Sequence, residues 1–210
     1  MYSFEKQLDS YIELLYEYNN KVRLTGVKDL ESIRLLVEDS IKPFKNILLK
    51  SSLNCLDFGT GGGIPGIPLA IIFPEVNFLL LDSITKKINA VNYFLEFLGL
   101  ENATAVNSRI ENYHEDFFDY VVSKAVANLR ILIELTASKL KIGGKLFFYK
   151  GTNVFSEIQE AQKIMYIMGL HLVDTINYDA GKFLVVFQKI SHSEEGYPRS
   201  YKKIIKQPVI

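Results

Sequence analysis

Apolar side chains recur every three or four positions over the first fifty residues, and this spacing predicts two amphipathic helices. The positions that carry the two periods are Leu8, Tyr11, Ile12, Leu15 and Tyr18, then Ile33, Leu36, Val37 and Ile41. Gly26 lies in the predicted interhelical loop, and Pro43 is expected to end or kink the second helix because proline lacks a backbone N–H. Residues 1–50 are therefore predicted to form a helical cap on a larger core.

From residue 53 the pattern changes to short apolar runs that alternate with helical periods. The predicted strands cover residues 53–58, 77–81, 103–106, 120–123 and 145–149. Such alternation is typical of parallel strands joined by crossover helices. One of the intervening helices, over 88–98, is expected to stop at Gly99. Another, over 129–140, is expected to stop before Gly143 and Gly144.

The last two apolar runs, 170–176 and 183–187, are joined by a segment too short for a crossover helix, so they are expected to pair antiparallel. Five parallel strands followed by an antiparallel hairpin form the sheet that S-adenosylmethionine-dependent methyltransferases share, whereas dinucleotide dehydrogenases usually have six parallel strands. The predicted fold class is α/β, a doubly wound Rossmann-like sheet with an antiparallel C-terminal hairpin and an N-terminal helical cap.

Composition limits the architecture and the compartment. A chain of 210 residues with 48% hydrophobic content is expected to form one domain, with a core over 51–190 and a basic C-terminal tail over 191–210. Twenty-four basic and twenty-four acidic residues leave no net charge, so a nucleic acid would need a local basic patch. The single cysteine, Cys55, the absence of zinc-ligand spacing and the lack of a signal or membrane segment predict a cytoplasmic protein without a metal.

A glycine-rich turn directly follows the first predicted strand. Asp57-x-Gly59-x-Gly61-x-Gly63 matches the acidic-x-Gly-x-Gly-x-Gly pattern of S-adenosylmethionine enzymes. The dinucleotide spacing from Gly61 to Gly66 begins too far beyond the strand and contains a proline. Glycines permit positive φ and a close approach of ligand to backbone, and the N–H groups of the following helix suit a carboxylate or phosphate. We therefore predict an S-adenosylmethionine loop; the alternative is a turn that only packs.

Three further candidates follow later strands. Asp82 ends the second strand at about the spacing, roughly 20 residues, at which an acid binds ribose hydroxyls, although it is also placed to cap a helix. Ile110 and its neighbour Glu111 follow the third strand, where such a fold lines the adenine pocket. Lys124 ends the fourth strand, which faces the reacting methyl group; its alternative is a solvated lysine.

Taken together, these residues resemble the glucose-inhibited division protein B family, bacterial enzymes that methylate N7 of one guanosine in 16S ribosomal RNA. The most specific match is the Gly-Ile-Pro-Gly-Ile-Pro sequence at 63–68, and Lys150-Gly151 and Tyr197-Pro198-Arg199 agree as well. The resemblance spans nearly the whole chain. It implies cofactor contacts at Gly59, Ile64, Asp82, Ile110, Glu111 and Lys124.

The chain departs from that family at three positions. Arg23 replaces the usual Asn, Leu36 replaces a His, and Lys124 replaces an Arg. Lysine keeps the positive charge but loses the planar guanidinium fork, and the missing histidine weakens any proposal of a catalytic imidazole. No catalytic side chain is predicted, because guanine N7 already carries a lone pair and needs positioning more than a general base.

The basic tail is the predicted RNA contact. No acidic residue follows Gly196, and the positive charges there are Arg199, Lys202, Lys203 and Lys206. The alternative is a solvated terminus. The expected partner is 16S ribosomal RNA or the small ribosomal subunit, with no membrane and with a monomer as the active unit. The alternative functions are methylation of another substrate, dinucleotide-dependent oxidation and a non-catalytic role in ribosome assembly.

Overall fold

The computed structural model describes residues 4–114 and 117–209. By internal contacts the chain divides into two compact units, unit 1 (Met1–Arg109) and unit 2 (Ile110–Ile210). Among the described residues, no helix is long and apolar enough to cross a membrane. The expectation that residues 1–210 form one domain stays a prediction.

Unit 1 begins with the two predicted helices, α1 (Phe4–Asn19) and α2 (Leu30–Ile41). The Asp29 side chain caps α2 by accepting a hydrogen bond from the Ser32 N–H at 2.8 Å. Pro43 lies in a 3-10 turn that follows α2, so the helix ends where proline was expected to end it. The predicted apolar positions supply buried side chains such as Tyr11, Leu15, Ile33 and Val37.

The rest of unit 1 is a parallel sheet with its crossover helices. Strands β1 (Asn54–Phe58), β2 (Asn77–Asp82) and β3 (Ala103–Asn107) lie in the order β3-β2-β1. The helices are α3 (Gly66–Ile72) and α4 (Thr85–Leu98), and Gly99 ends α4 in the left-handed conformation as predicted. Phe58 pairs with Leu81 and Leu81 with Val106, so the carboxyl ends of the three strands meet at one edge.

The described residues of unit 2 form four strands in the order β4-β5-β7-β6. They are β4 (Phe118–Lys124), β5 (Leu140–Lys150), β6 (Leu170–Asp179) and β7 (Lys182–Lys189). Its helices are α5 (Leu129–Thr136), α6 (Val154–Ile167) and α7 (Tyr201–Lys206). β5 runs parallel to β4, and β7 is antiparallel to both of its neighbours. The C-terminal antiparallel hairpin is therefore confirmed.

The sequence reading of unit 2 was wrong in two places. Gly143 and Gly144 do not stop a helix; they lie inside β5, where Phe118 pairs with Leu140 but Tyr120 pairs with Lys145. A bulge at this register shift needs a positive φ, and Gly143 has φ +88°. The helix α6 was not predicted.

The segment 191–210, expected to be a tail, contains α7 and buries Ile204 and Val209. Two apolar side chains set five positions apart in a basic segment give no periodic signal, although they are enough to dock the segment.

Candidate functional site

The glycine-rich loop connects β1 to α3 within unit 1. Gly59, Gly61 and Gly63 have φ values of +73°, +60° and +99°, which lie in the left-handed region that favours glycine. The N–H groups of Gly59 and Thr60 both donate to the Leu81 carbonyl, at 2.9 and 3.0 Å. The loop is therefore tied to the end of β2, as expected for a turn placed beside the next strand.

Several loop glycines are required by the packing of unit 1 itself. A Cβ at Gly62 would lie 2.8 Å from Leu15, and a Cβ at Gly63 would lie 2.5 Å from Ile67. At Gly61 the nearest atom would be 3.5 Å away, an ordinary contact. The expectation that these glycines mainly make room for a ligand is thus incomplete, because at Gly62 and Gly63 the space is already filled by the protein.

Asp57 holds the loop from inside. The residue is fully buried at the end of β1, and its Oδ2 accepts hydrogen bonds from the Thr60 hydroxyl at 2.6 Å and the Gly66 N–H at 2.8 Å. Its Oδ1 has no hydrogen-bond partner among the residues that the structure describes. Burial raises the pKa of this carboxyl to about 7. From the sequence alone, Asp57 was only the first position of the motif, and its contact with Thr60 three residues later was not predicted.

This contact also corrects the idea that α3 offers its first N–H group to a ligand. The Gly66 N–H donates to Asp57, and the next one, that of Ile67, donates to the Gly63 carbonyl at 2.7 Å. The beginning of α3 is thus satisfied within the protein.

Helix α1 holds the same loop from the other side. The Tyr11 hydroxyl donates to the Gly62 carbonyl at 2.9 Å, and its ring meets Phe94 edge-on. Burial, followed by the charge of Asp57, raises the pKa of Tyr11 well above its usual value. The sequence placed Tyr11 only on an apolar helix face; the helical period cannot show that its hydroxyl reaches a loop 51 positions later.

Asp82 combines the two roles that its sequence position allowed. Its Oδ2 accepts from the Gly61 N–H at 3.0 Å, and its Oδ1 accepts from the Ile84 N–H at 2.9 Å, just before α4. The Lys87 ammonium lies 4.0 Å from the carboxylate. The side chain keeps 10% of its surface exposed, and a carboxylate has about four lone-pair positions, so acceptor sites remain for ribose hydroxyls.

Asn107, at the end of β3, joins the same edge. Its side-chain N–H donates to the Asp82 carbonyl at 3.0 Å, and its side-chain oxygen accepts from the Thr85 hydroxyl at 2.8 Å. The ends of β2 and β3 and the first turn of α4 are therefore linked by side chains. Asn107 was not among the residues predicted from the sequence.

In unit 2, the family-derived positions lie in different surroundings. Ile110 is buried in a 3-10 turn, and Glu111 beside it is half-buried. Lys124 is half-buried at the end of β4, and its ammonium lies 5.0 Å from the ring centroid of Tyr149, its register partner on β5. A cation over an aromatic face is a stabilising arrangement, which opposes the reading of Lys124 as a fully solvated lysine.

The basic C-terminal segment separates into two parts. The Arg199 guanidinium binds the Glu134 carboxylate through Nε and Nη2, each at 2.7 Å, and its Nη1 donates to the Gln207 carbonyl at 2.9 Å. Glu134 is 1% exposed, and hydrogen bonding to it raises the pKa of Arg199. This geometry gives Arg199 a structural partner. The three remaining cations are exposed on α7: Lys202, Lys203 and Lys206.

The fold and the loop geometry define a class of protein. The chain is similar to a solved SAM-dependent methyltransferase from Aquifex aeolicus, with a TM-score of 0.59 and 17% identity over 75% of this chain and 93% of that one. At this identity the likeness concerns the fold alone. It confirms the doubly wound Rossmann-like α/β fold that the strand pattern predicted.

The family follows from sequence comparison. Residues 4–182 match the model of the family described as rRNA small subunit methyltransferase G, and the chain belongs to that family. Ribosomal RNA small subunit methyltransferase G of Clostridium beijerinckii is 37% identical over 98% of this chain and 90% of its own length. The protein of the same name from Pseudothermotoga lettingae is 38% identical over 97% and 91%. The resemblance drawn from the motifs is confirmed.

Proposed function

We propose that the chain transfers the methyl group of S-adenosylmethionine to N7 of a guanosine in 16S ribosomal RNA. The observation that carries this proposal is the family match over residues 4–182. It is supported by a glycine loop fixed to the carboxyl ends of two parallel strands, the edge at which open α/β sheets bind their ligands.

Within unit 1, we assign the cofactor to the loop and to Asp82. Most N–H groups of the glycine-rich loop donate hydrogen bonds within the protein, so its carbonyl groups are the atoms left for a ligand. We assign these carbonyls to the amino-acid end of the cofactor, with the surrounding residues Gly59, Gly61, Gly63 and Ile64. Asp82 retains lone pairs for ribose hydroxyls. From unit 2, the family pattern assigns Ile110, Glu111 and Lys124, and these three stay predictions.

The proposed chemistry needs alignment and exclusion of water. S-adenosylmethionine, when bound, supplies a methyl group activated by a positively charged sulfur. The lone pair of guanine N7 forms a bond to the methyl carbon while the carbon–sulfur bond breaks, and the bonding pair goes to sulfur. No proton is removed, so the chain needs no general base, and its residues contribute by holding the reacting groups in line.

We further propose that the exposed lysines of α7 contact phosphates of the RNA. Lys202, Lys203 and Lys206 provide local positive charge in a chain with no net charge, and the Arg199–Glu134 pair fixes the segment that carries them. A ribosomal RNA substrate places the reaction in the cytoplasm, and we take one chain as the active unit.

The test uses 16S RNA transcripts and cofactor with a labelled methyl group. Matched transcripts made with 7-deazaguanosine lack the N7 acceptor. We expect the labelled methyl group to appear in the ordinary transcript, or in small ribosomal subunits taken from cells without the enzyme. We expect no label in the 7-deazaguanosine transcript. Primer extension after chemical cleavage then locates the nucleotide.

Other outcomes point to the alternatives. Label in the deaza transcript would exclude N7 as the acceptor. Stabilisation by a nicotinamide dinucleotide instead of S-adenosylmethionine would favour the oxidoreductase; either ligand at about 100 times its dissociation constant adds roughly 2.7 kcal/mol. Stabilisation by neither would favour the assembly factor.

A further inference from the structure

The loop that follows β4, residues 125–128, combines exposure with an unusual backbone conformation. Ala125 has φ +59°, a left-handed conformation that side chains other than glycine rarely adopt, and Val126 is 39% exposed. The loop lies at the carboxyl end of a parallel strand, the position at which ligands bind in open α/β sheets. Something outside the loop must hold it in this conformation.

A lysine on the neighbouring strand supplies one of these contacts. Lys150, the last residue of β5, donates from its ammonium to the Ala127 carbonyl at 2.9 Å. The same ammonium lies 2.6 Å from the Glu157 carboxylate on α6. Only 8% of the Lys150 side chain is exposed, so the charge is directed at the loop and not into solvent.

Glu157 supplies the next contact. The carboxylate oxygen that binds Lys150 also accepts a hydrogen bond, at 2.8 Å, from the N–H of Leu129, which is the first residue of α5. Asn128 caps the same helix by accepting from the Arg130 N–H at 3.1 Å. One pair of charged residues thus fixes the backbone on both sides of Asn128, through the Ala127 carbonyl and the Leu129 N–H.

We propose that Lys150 and Glu157 form a positioning pair that sets the loop 125–128 to receive the guanine base. The inference rests on the proposed function and names residues that act through the loop. Neither is assigned to the cofactor or to the reacting atoms. Their contribution is to hold an exposed apolar loop in one conformation, since misplacement by about 1 Å can lower a rate by roughly a hundredfold.

An ion pair between α5 and α6 provides the matched control. Arg130 on α5 and Glu160 on α6 lie 3.3 Å apart, and Glu160 is one turn beyond Glu157. The Glu160 carboxylate binds side chains, those of Arg130 and Ser156. A substitution there weakens the packing of α5 on α6 without removing a directed contact to the loop.

The experiment compares Lys150→Met, Glu157→Gln and the control Glu160→Gln. For each, the single-turnover methylation rate at saturating RNA, the S-adenosylmethionine affinity by calorimetry and the melting temperature are measured. We expect Lys150→Met to lower the methylation rate at least about tenfold. The S-adenosylmethionine affinity should change by less than about threefold, because the glycine-rich loop and Asp82 are fixed by contacts inside unit 1. Glu160→Gln should leave the rate within about twofold of the parent.

The exchanged double variant, Lys150→Glu with Glu157→Lys, separates positioning from simple ion pairing. Exchange restores the opposite charges but places an acceptor opposite the Ala127 carbonyl and a donor opposite the Leu129 N–H, so the rate should stay low. If Lys150→Met does not fold, the rate of Glu157→Gln tests the inference instead. The amide oxygen of this variant can still accept the hydrogen bond from the Leu129 N–H.

Three outcomes would overturn the inference: rates equal to that of Glu160→Gln, full recovery on exchange, or a fall in rate that only follows the melting temperature. An inactive parent protein would instead contradict the proposed function, so the two failures are distinguishable.

Discussion

At the scale of single residues, the carboxyl of Asp57 is fully buried in unit 1. Its ordinary pKa is 3.8, and burial raises it to about 7 in the folded protein. The folded chain therefore holds a proton that the unfolded chain releases between about pH 4 and pH 7. The stabilising contribution is complete below the ordinary pKa and is lost as the pH rises through the raised one.

Asp57→Asn should remove this pH dependence. The amide oxygen can accept from Thr60 and Gly66 but does not titrate. The difference between a pKa of 3.8 and one of about 7 corresponds to about 4 kcal/mol. The free energy of unfolding of the parent should therefore fall relative to that of the variant by up to this amount between pH 4 and 8. Urea unfolding across this range measures the difference. Parallel pH profiles would show that folding does not raise the pKa of Asp57.

The loop glycines differ in what a methyl group would meet, and this gives a second prediction at the same scale. Gly61→Ala places a side chain in the left-handed region with nothing closer than 3.5 Å, so it should cost about 1–2 kcal/mol of stability. Gly63→Ala adds the clash with Ile67 at 2.5 Å, for roughly 1–3 kcal/mol more. Ile67→Val should recover part of the Gly63→Ala loss and none of the Gly61→Ala loss; equal effects would contradict the packing account.

At the scale of elements, Asp82 joins the end of β2, the glycine loop and the start of α4. Asp82→Ala removes acceptors from the N–H groups of Gly61 and Ile84, so stability and S-adenosylmethionine affinity should both fall, each by about 2 kcal/mol. Thr85, in the first turn of α4, donates a hydrogen bond to Asn107, and Thr85→Val removes it. This variant should lose about 1 kcal/mol of stability with little change in S-adenosylmethionine affinity. Chemical unfolding and calorimetry separate the two effects. Undiminished affinity in folded Asp82→Ala would leave Asp82 as a cap only.

At the scale of the whole molecule, the sum of charges is zero and the local arrangement decides how RNA binds. Replacing Lys202, Lys203 and Lys206 by Gln should weaken RNA binding and flatten its salt dependence by about 0.7 to 0.9 log units per lost phosphate contact. Cofactor affinity should not change. Binding measured over a salt series tests this, and coincident lines for variant and parent would mean that α7 does not contact RNA. The matched control replaces three exposed lysines elsewhere: Lys6, Lys28 and Lys163.

Local signals in the sequence were sufficient for most of the fold. Short apolar runs and helical periods predicted the parallel strands and the hairpin, and the glycine motif predicted the loop, because each of these signals depends on neighbours within a few positions. They failed where two distant residues act together: Tyr11 with Gly62, Lys150 with Ala127, and Glu134 with Arg199, which are 51, 23 and 65 positions apart. Hydrophobic patterning carries no information about such pairs.

The contact between Glu134 and Arg199 makes the stability of unit 2 depend on the segment that follows residue 198. A polypeptide cut after residue 198 would keep the Glu134 carboxylate in the interior of unit 2 with its guanidinium gone. Removing one partner of a buried pair costs about 3–5 kcal/mol, a large share of the stability of a typical domain. Prematurely terminated or clipped chains would therefore open more often and be cleared by proteases, so that intact molecules are the ones that accumulate in the cell.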